Sequence, residues 1–212
     1  MTAGFDAALA TSLFAVLGVW VVTVLVPGPN FLATVHAAHT QSRRAGVVVA
    51  LGVAVGTAVW ATANLAGLGL LFRSAGWLYQ GVKIAGAAYL IFVGIRTITT
   101  ARQQPAAAHR QAEARGLGEA FRLGLLTDLA NPKAAAFFTS LFAVAVPPDA
   151  PMWFDASVIA LVVAIAGGWY ALVACAVASG PGAALFGRAR TALTYLAGTV
   201  FVGFGLKLVA DR

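Results

Sequence analysis

Two charged residues, Asp128 and Lys133, stand well inside a mostly apolar run from about 118 to 147. At the centre of a membrane helix each such charge costs about 2.5–3.5 kcal/mol on insertion scales, so charges kept there mark a substrate or ion pathway. Five positions on an ideal helix turn through about 140°, which keeps the two from pairing with each other unless the Asn-Pro break rotates one of them. Lys133 then needs an acceptor from elsewhere, and a substrate carboxylate would serve. Asp128 can hold an ammonium group or carry a proton. The competing explanation is that both pair with residues of other helices.

Asn131 and Pro132 interrupt the helix between these charges, and Pro27-Gly28-Pro29-Asn30 interrupts an earlier apolar run. Each proline lacks an N–H and crowds the carbonyl four residues back, so the carbonyls of Thr23 and Leu25 are expected to lose their helical partners. Such groups are costly in hydrocarbon unless protein, water or ligand satisfies them. Pro29 suits the first position of a new helix, which turns the N–H groups after Asn30 toward the break. A broken helix offers carbonyls to a cation beside N–H groups to an anion. A simple kink absorbed by neighbours is the alternative. Matching breaks in two halves of the chain favour a functional one. The candidate substrate-binding and coupling residues are therefore Pro27, Gly28, Pro29, Asn30, Asp128, Asn131, Pro132 and Lys133.

Other chemistry-bearing residues carry less. His36 and His39 have metal-ligand spacing but no evident third ligand, so a polar interface explains them better than a metal site. The single cysteine, Cys175, excludes an intrachain disulfide or a cysteine metal cluster and reads as a small buried hydrophobe. Lys83 and Lys207 lie close enough to the ends of apolar runs to snorkel. Trp60, Asn64, Tyr89, Trp169 and Tyr170 could line a cavity, although interhelical packing accounts for each of them.

The elements that must position these residues follow from composition. The chain has 212 residues, of which 60% are hydrophobic and 10% charged, against roughly one-quarter charged in a soluble domain. Stretches such as 47–72 carry no charge. This excludes a water-soluble globule and implies an all-α integral membrane protein. Spans of the required length are expected at about 7–40 (interrupted), 45–72, 77–98, 118–147 (interrupted), 155–179 and 191–210. The first is read as a retained span and not a secretory signal, because no Lys or Arg precedes it.

The net charge of +7 does not indicate nucleic acid, since the basic residues are scattered at the ends of apolar runs and form no stripe. Arg43 and Arg44, then Arg96, Arg102, Arg110, Arg115 and Arg122, then Arg188 and Arg190 fall on one side, which the positive-inside rule makes cytoplasmic. Six spans then leave both termini outside. Trp77, Tyr79 and Trp153 suit the outer headgroup region. The polar stretch from about Thr99 to Gly116 reads as a flexible cytoplasmic loop.

The halves, about 7–98 and 118–210 of a single transporter domain, resemble each other faintly. VLVPGPNFLATV aligns with TDLANPKAAAFF, and FVGIR with FVGFG. Three spans per half make these inverted repeats, an architecture of secondary transporters. Gly52 and Gly56, with Ala50, Ala54 and Ala58, let the second span pack closely on a neighbour. That neighbour is internal or belongs to another copy in a homo-oligomer.

These residues together resemble the lysine exporter (LysE-type) translocator family, which includes the homoserine and threonine efflux proteins. The resemblance covers nearly the whole chain. It is carried by Pro27-Gly28-Pro29-Asn30, by Gly86-Ala87-Ala88-Tyr89-Leu90 with Gly94, by Asn131-Pro132-Lys133 followed by Phe137-Phe138, and by Gly198 with Gly203. It implies an exporter of amino acids or close derivatives in the bacterial inner membrane, driven by an ion gradient through proton antiport, with no cofactor. In such a family the residue after Pro-Gly-Pro is often Asp. Here it is Asn30, and Asp128, where relatives often have Asn, is the natural substitute.

On this reading a zwitterion sets its carboxylate near Lys133 and the N–H groups after Pro29, and its ammonium near Asp128 and the freed carbonyls. Small and apolar candidate lining residues favour a neutral amino acid, since only Asp128 could balance an extra positive charge. A membrane-embedded enzyme would need a nucleophile or acid–base pair that does not stand out. A scaffold would leave the mid-membrane charges without purpose, and a metal or organic-cation exporter meets few acidic or metal-ligating residues.

Overall fold

The computed structural model describes residues 2–74, 76–101, 116–147, 150–177 and 181–210, and among these every regular element is helical. In chain order the helices are α1 (Thr2–Leu25), α2 (Pro29–Thr40), α3 (Arg43–Ser74), α4 (Gly76–Thr99), α5 (Leu117–Leu129), α6 (Pro132–Ala145), α7 (Met152–Val177) and α8 (Pro181–Ala210). The interrupted runs are each two helices, α1–α2 and α5–α6, with the breaks at residues 26–28 and 130–131. Local chemistry sets both. Pro29 and Pro132 each open a new helix, at the first position, where a missing N–H costs nothing. Gly28 precedes α2 with extended backbone (φ −138°, ψ −168°).

α3 follows α2 almost directly. The last turn of α2 is closed by the Gln41 N–H on the Ala37 carbonyl, at 3.2 Å. Ser42 then caps α3 by accepting from the Ala45 N–H (3.1 Å), the usual work of a serine before a helix.

Several boundaries extend past the expected spans. α1 begins at Thr2 and α8 at Pro181, so Arg188 and Arg190 lie on the opening turns of α8 and not in a loop. Arg43 and Arg44 open α3, Arg96 lies in the last turn of α4, and Arg122 lies within α5. The physical reason is that apolar content limits the part of a helix in hydrocarbon, whereas backbone hydrogen bonding continues into the interface. The expected loop between α4 and α5 falls, over residues 102–115, outside the described residues.

Among the described residues three helices are long and apolar enough to cross a bilayer, at Ala7–Leu25, Arg43–Gly67 and Met152–Val177. Ile84–Thr99 and Thr191–Leu206 are shorter apolar segments. The outward faces are apolar as well: Phe14, Leu51, Val59, Ile84, Phe92, Leu172 and Leu206 are all exposed. Side chains of this kind are stable against lipid and not against water. The chain is a multi-pass membrane protein.

α3 is the hub, packing on α2, α5, α6 and α7, while α4 packs on α8 and α6. Large side chains fill the main core, among them Trp20, Phe31, Leu90, Phe137, Phe138, Phe142, Phe154 and Phe201. A second cluster of small residues, Ala33, Ala37, Ala45, Val49 and Ala120, joins α2, α3 and α5. The glycines explain the close approach there. A Cβ on Gly52 would overlap the Phe121 carbonyl, and one on Gly124 the Val49 carbonyl. The Gly52–Gly56 stripe thus serves an internal contact with α5.

Candidate functional site

α5 ends one residue after Asp128, and α2 begins one residue before Asn30. The two breaks are adjacent in space. The Asn30 amide Nδ2 donates to Asp128 Oδ1 at 2.5 Å. Both residues are inside the bundle, Asn30 8% and Asp128 2% exposed. Their remaining oxygens, Asn30 Oδ1 and Asp128 Oδ2, are buried without a hydrogen-bond partner. Buried polar atoms are nearly always paired, so two orphans side by side mark a place built for something else.

A cavity of about 40 Å³ opens at this point, lined by Trp20, Thr23, Val24, Val26, Gly28, Pro29, Asn30, Asp128, Asn131, Ala134, Phe137 and Tyr170. It has room for roughly two or three waters, judged by the volume one water needs. One wall is aromatic. Trp20, from the helix before the first break, packs on Phe137 and Phe138, from the helix after the second, at centroid distances of 5.7 and 4.7 Å. The Trp20 Nε1–H donates to the Val162 carbonyl of α7 (2.8 Å), which fixes the ring.

α3 packs against Asp128 without lining the cavity. Gly56 faces the Asp128 side chain so closely that a Cβ there would stand 2.7 Å from Oδ2. Trp60, one turn further on, donates from Nε1 to the main-chain carbonyl of Asp128 (3.2 Å). The same carbonyl accepts from the Asn131 N–H (3.1 Å). The second break is therefore well satisfied. At the first, the Thr23 carbonyl accepts from Val26 N–H (3.3 Å), so it is not bare as the prolines alone predict: the last turn of α1 tightens to recover a bond. The α2 ladder begins with Leu32 N–H on the Gly28 carbonyl (3.0 Å).

Of the residues singled out by sequence, Gly28, Pro29, Asn30, Asp128 and Asn131 line one cavity. Pro27 adjoins it in the chain. The side chains of Pro132 and Lys133 lie outside the described residues; as backbone they are the first two positions of α6. Asp128 and Lys133 stand on different helices, so the angle derived for one ideal helix does not apply. Trp20 and Thr23 were legible in sequence only as span residues. His36 is half-buried and His39 exposed; among the described residues no three His, Cys, Asp or Glu side chains gather as metal ligands. Cys175 is half-buried, and the Arg43 Nε–H donates to its sulfur at 3.1 Å.

Comparison with known proteins places this geometry in context. Residues 21–212 match the family model for LysE type translocators. The threonine efflux protein of Salmonella typhi is 31% identical over 94% of this chain and 98% of its own. That of Escherichia coli is 31% identical over 92% and 95%. An uncharacterised membrane protein of Pseudomonas aeruginosa is 34% identical over 91% and 92%. No solved structure matches the chain.

Proposed function

Given that the chain belongs to the LysE type translocator family, and is thus a transporter and not an enzyme, we propose that it exports a small neutral amino acid or close derivative from the bacterial cytoplasm in exchange for protons. One observation carries the reading: the buried Asn30–Asp128 hydrogen bond, which joins the two helix breaks at a cavity and leaves an oxygen of each residue unpartnered. A substrate ammonium would displace the Asn30 amide from Asp128. The substrate carboxylate would meet the start of α2 and Lys133, where helix N-termini favour negative charge. Asp128 would take a proton when the substrate leaves. Charged groups retained inside a bundle commonly serve as such relays.

The threonine efflux relatives favour a hydroxyl-bearing or similarly small side chain. Alternating access by two inverted three-helix repeats is supported by the paired breaks and by the packing. α3 lies on α7 and α4 on α8, and the α2–α7 contact has a counterpart in α6–α3. α2, α3 and α5 meet through alanine and glycine on the side assigned to the cytoplasm, which supports a state closed toward the cytoplasm. The arginine distribution supports an inner-membrane orientation with both termini outside.

The test is reconstitution of the purified chain in lipid vesicles with labelled threonine, homoserine, serine and lysine and an imposed proton gradient. Gradient-dependent movement of a neutral amino acid is expected. Transport of none of these, or of lysine alone, would overturn the proposal.

A further inference from the structure

The residues of α3 that face the second break recur at four-residue spacing, Gly52, Gly56, Trp60 and Asn64, and so lie along one side of the helix. Each has a task there. Gly52 admits the α5 backbone at Phe121, and Gly56 admits the Asp128 side chain. Trp60 donates to the Asp128 carbonyl (3.2 Å). Asn64 donates from Nδ2 to the Trp60 carbonyl (2.8 Å) and accepts, on Oδ1, the hydroxyl of Thr139 on α6 (2.5 Å). The first pair of contacts is with the helix before the break, and the last is with the helix after it. Trp60 sits at the break itself.

A broken helix has no internal ladder across its gap to hold its halves in line, so their relation must be fixed from outside. We propose that Trp60 and Asn64 are positioning residues: with the glycines beneath them they make α3 a splint across the second break, which holds α6 in line with α5 and so aims the Asp128 carboxylate at Asn30. Neither side chain lines the cavity. They act through Asp128 and Thr139. The effect on transport rests on the proposed role of Asp128, whereas the splint itself does not.

The experiment therefore has two readouts on the full-length protein. Trp60→Phe removes the N–H and keeps the ring; Asn64→Leu keeps the volume; Thr139→Val and Thr139→Ser differ in the hydroxyl. In vesicles with labelled threonine, Trp60→Phe and Asn64→Leu are expected to raise KM about ten-fold, the order of change that follows from losing one hydrogen bond across the break, with the maximal rate nearly kept. Thr139→Ser should behave as the parent and Thr139→Val as Asn64→Leu. Amide hydrogen exchange gives the second readout: in Trp60→Phe, peptides over residues 130–134 should exchange about ten-fold faster, while those over 26–32 keep the parental rate. Unchanged exchange at 130–134 overturns the splint, as does an unchanged KM where Asp128→Asn loses transport or its response to the proton gradient. If Asp128→Asn transports normally, the proposed role of Asp128 falls, and the exchange readout alone decides the splint.

Discussion

Asn30 and Asp128, 98 positions apart in the chain, meet as amide and carboxylate at the point where both broken helices end. One hydrogen bond thus ties the end of α5 to the start of α2. Exchanging the two side chains keeps one donor and one carboxylate in the same place, while changing only one does not. Asp128→Asn is expected to lose its response to an imposed proton gradient, and Asn30→Leu to lose about 1–3 kcal/mol through a buried carboxylate left without its donor. The double exchange Asn30→Asp with Asp128→Asn should recover gradient-dependent efflux. A double variant no better than Asp128→Asn would show that the position of the carboxylate matters and not merely its presence.

Lys133, at the second position of α6, is assigned the substrate carboxylate. Lys133→Met should insert and fold as the parent yet export nothing. Undiminished efflux from that variant would remove Lys133 from the mechanism.

Gly56 gives a steric test of the same site. A Cβ at this position would stand 2.7 Å from Asp128 Oδ2 and 2.8 Å from its Cβ, whereas one at Gly67 meets nothing within 4 Å. Gly56→Ala is therefore expected to lower stability by about 1–3 kcal/mol, as overpacking does, and to depress efflux. Gly67→Ala should do neither. Thermal unfolding in detergent and vesicle efflux measure the two effects, and equal behaviour of the two variants would contradict the observed packing.

Orientation can be read with cysteine labelling. In a Cys175→Ala background, a cysteine at Ala107 should react with an impermeant maleimide only from the cytoplasmic side, and one at Asp211 only from outside. The opposite pattern would invert the assignment and with it the side that is closed.

The breaks were legible in the sequence because proline and glycine act locally: a missing N–H at Pro29 or Pro132 interrupts a helix whatever surrounds it. The meeting of Asn30 with Asp128 was not, since it depends on how helices far apart in sequence pack. Trp20, Trp60 and Tyr170 illustrate a different limit. In apolar helices an aromatic residue against lipid, in the core or beside a cavity has the same neighbours in sequence, and only packing separates Trp20 on the cavity wall from Trp153 on the exposed surface. The arginines form a pattern of sides without marking helix ends, because helical hydrogen bonding extends beyond the apolar run.

The cavity between the breaks, at about 40 Å³, has a bearing on energy conservation. An exchanger that uses a proton gradient must change sides only with substrate or proton bound, without letting ions leak down the same gradient. A site with room for only a few waters, walled by Trp20 and Phe137 and bridged by Asn30 and Asp128, offers ions little water to travel through. Under the proposed proton exchange, the protein would be an insulator between export events, and the gradient would not be short-circuited by the machine that draws on it.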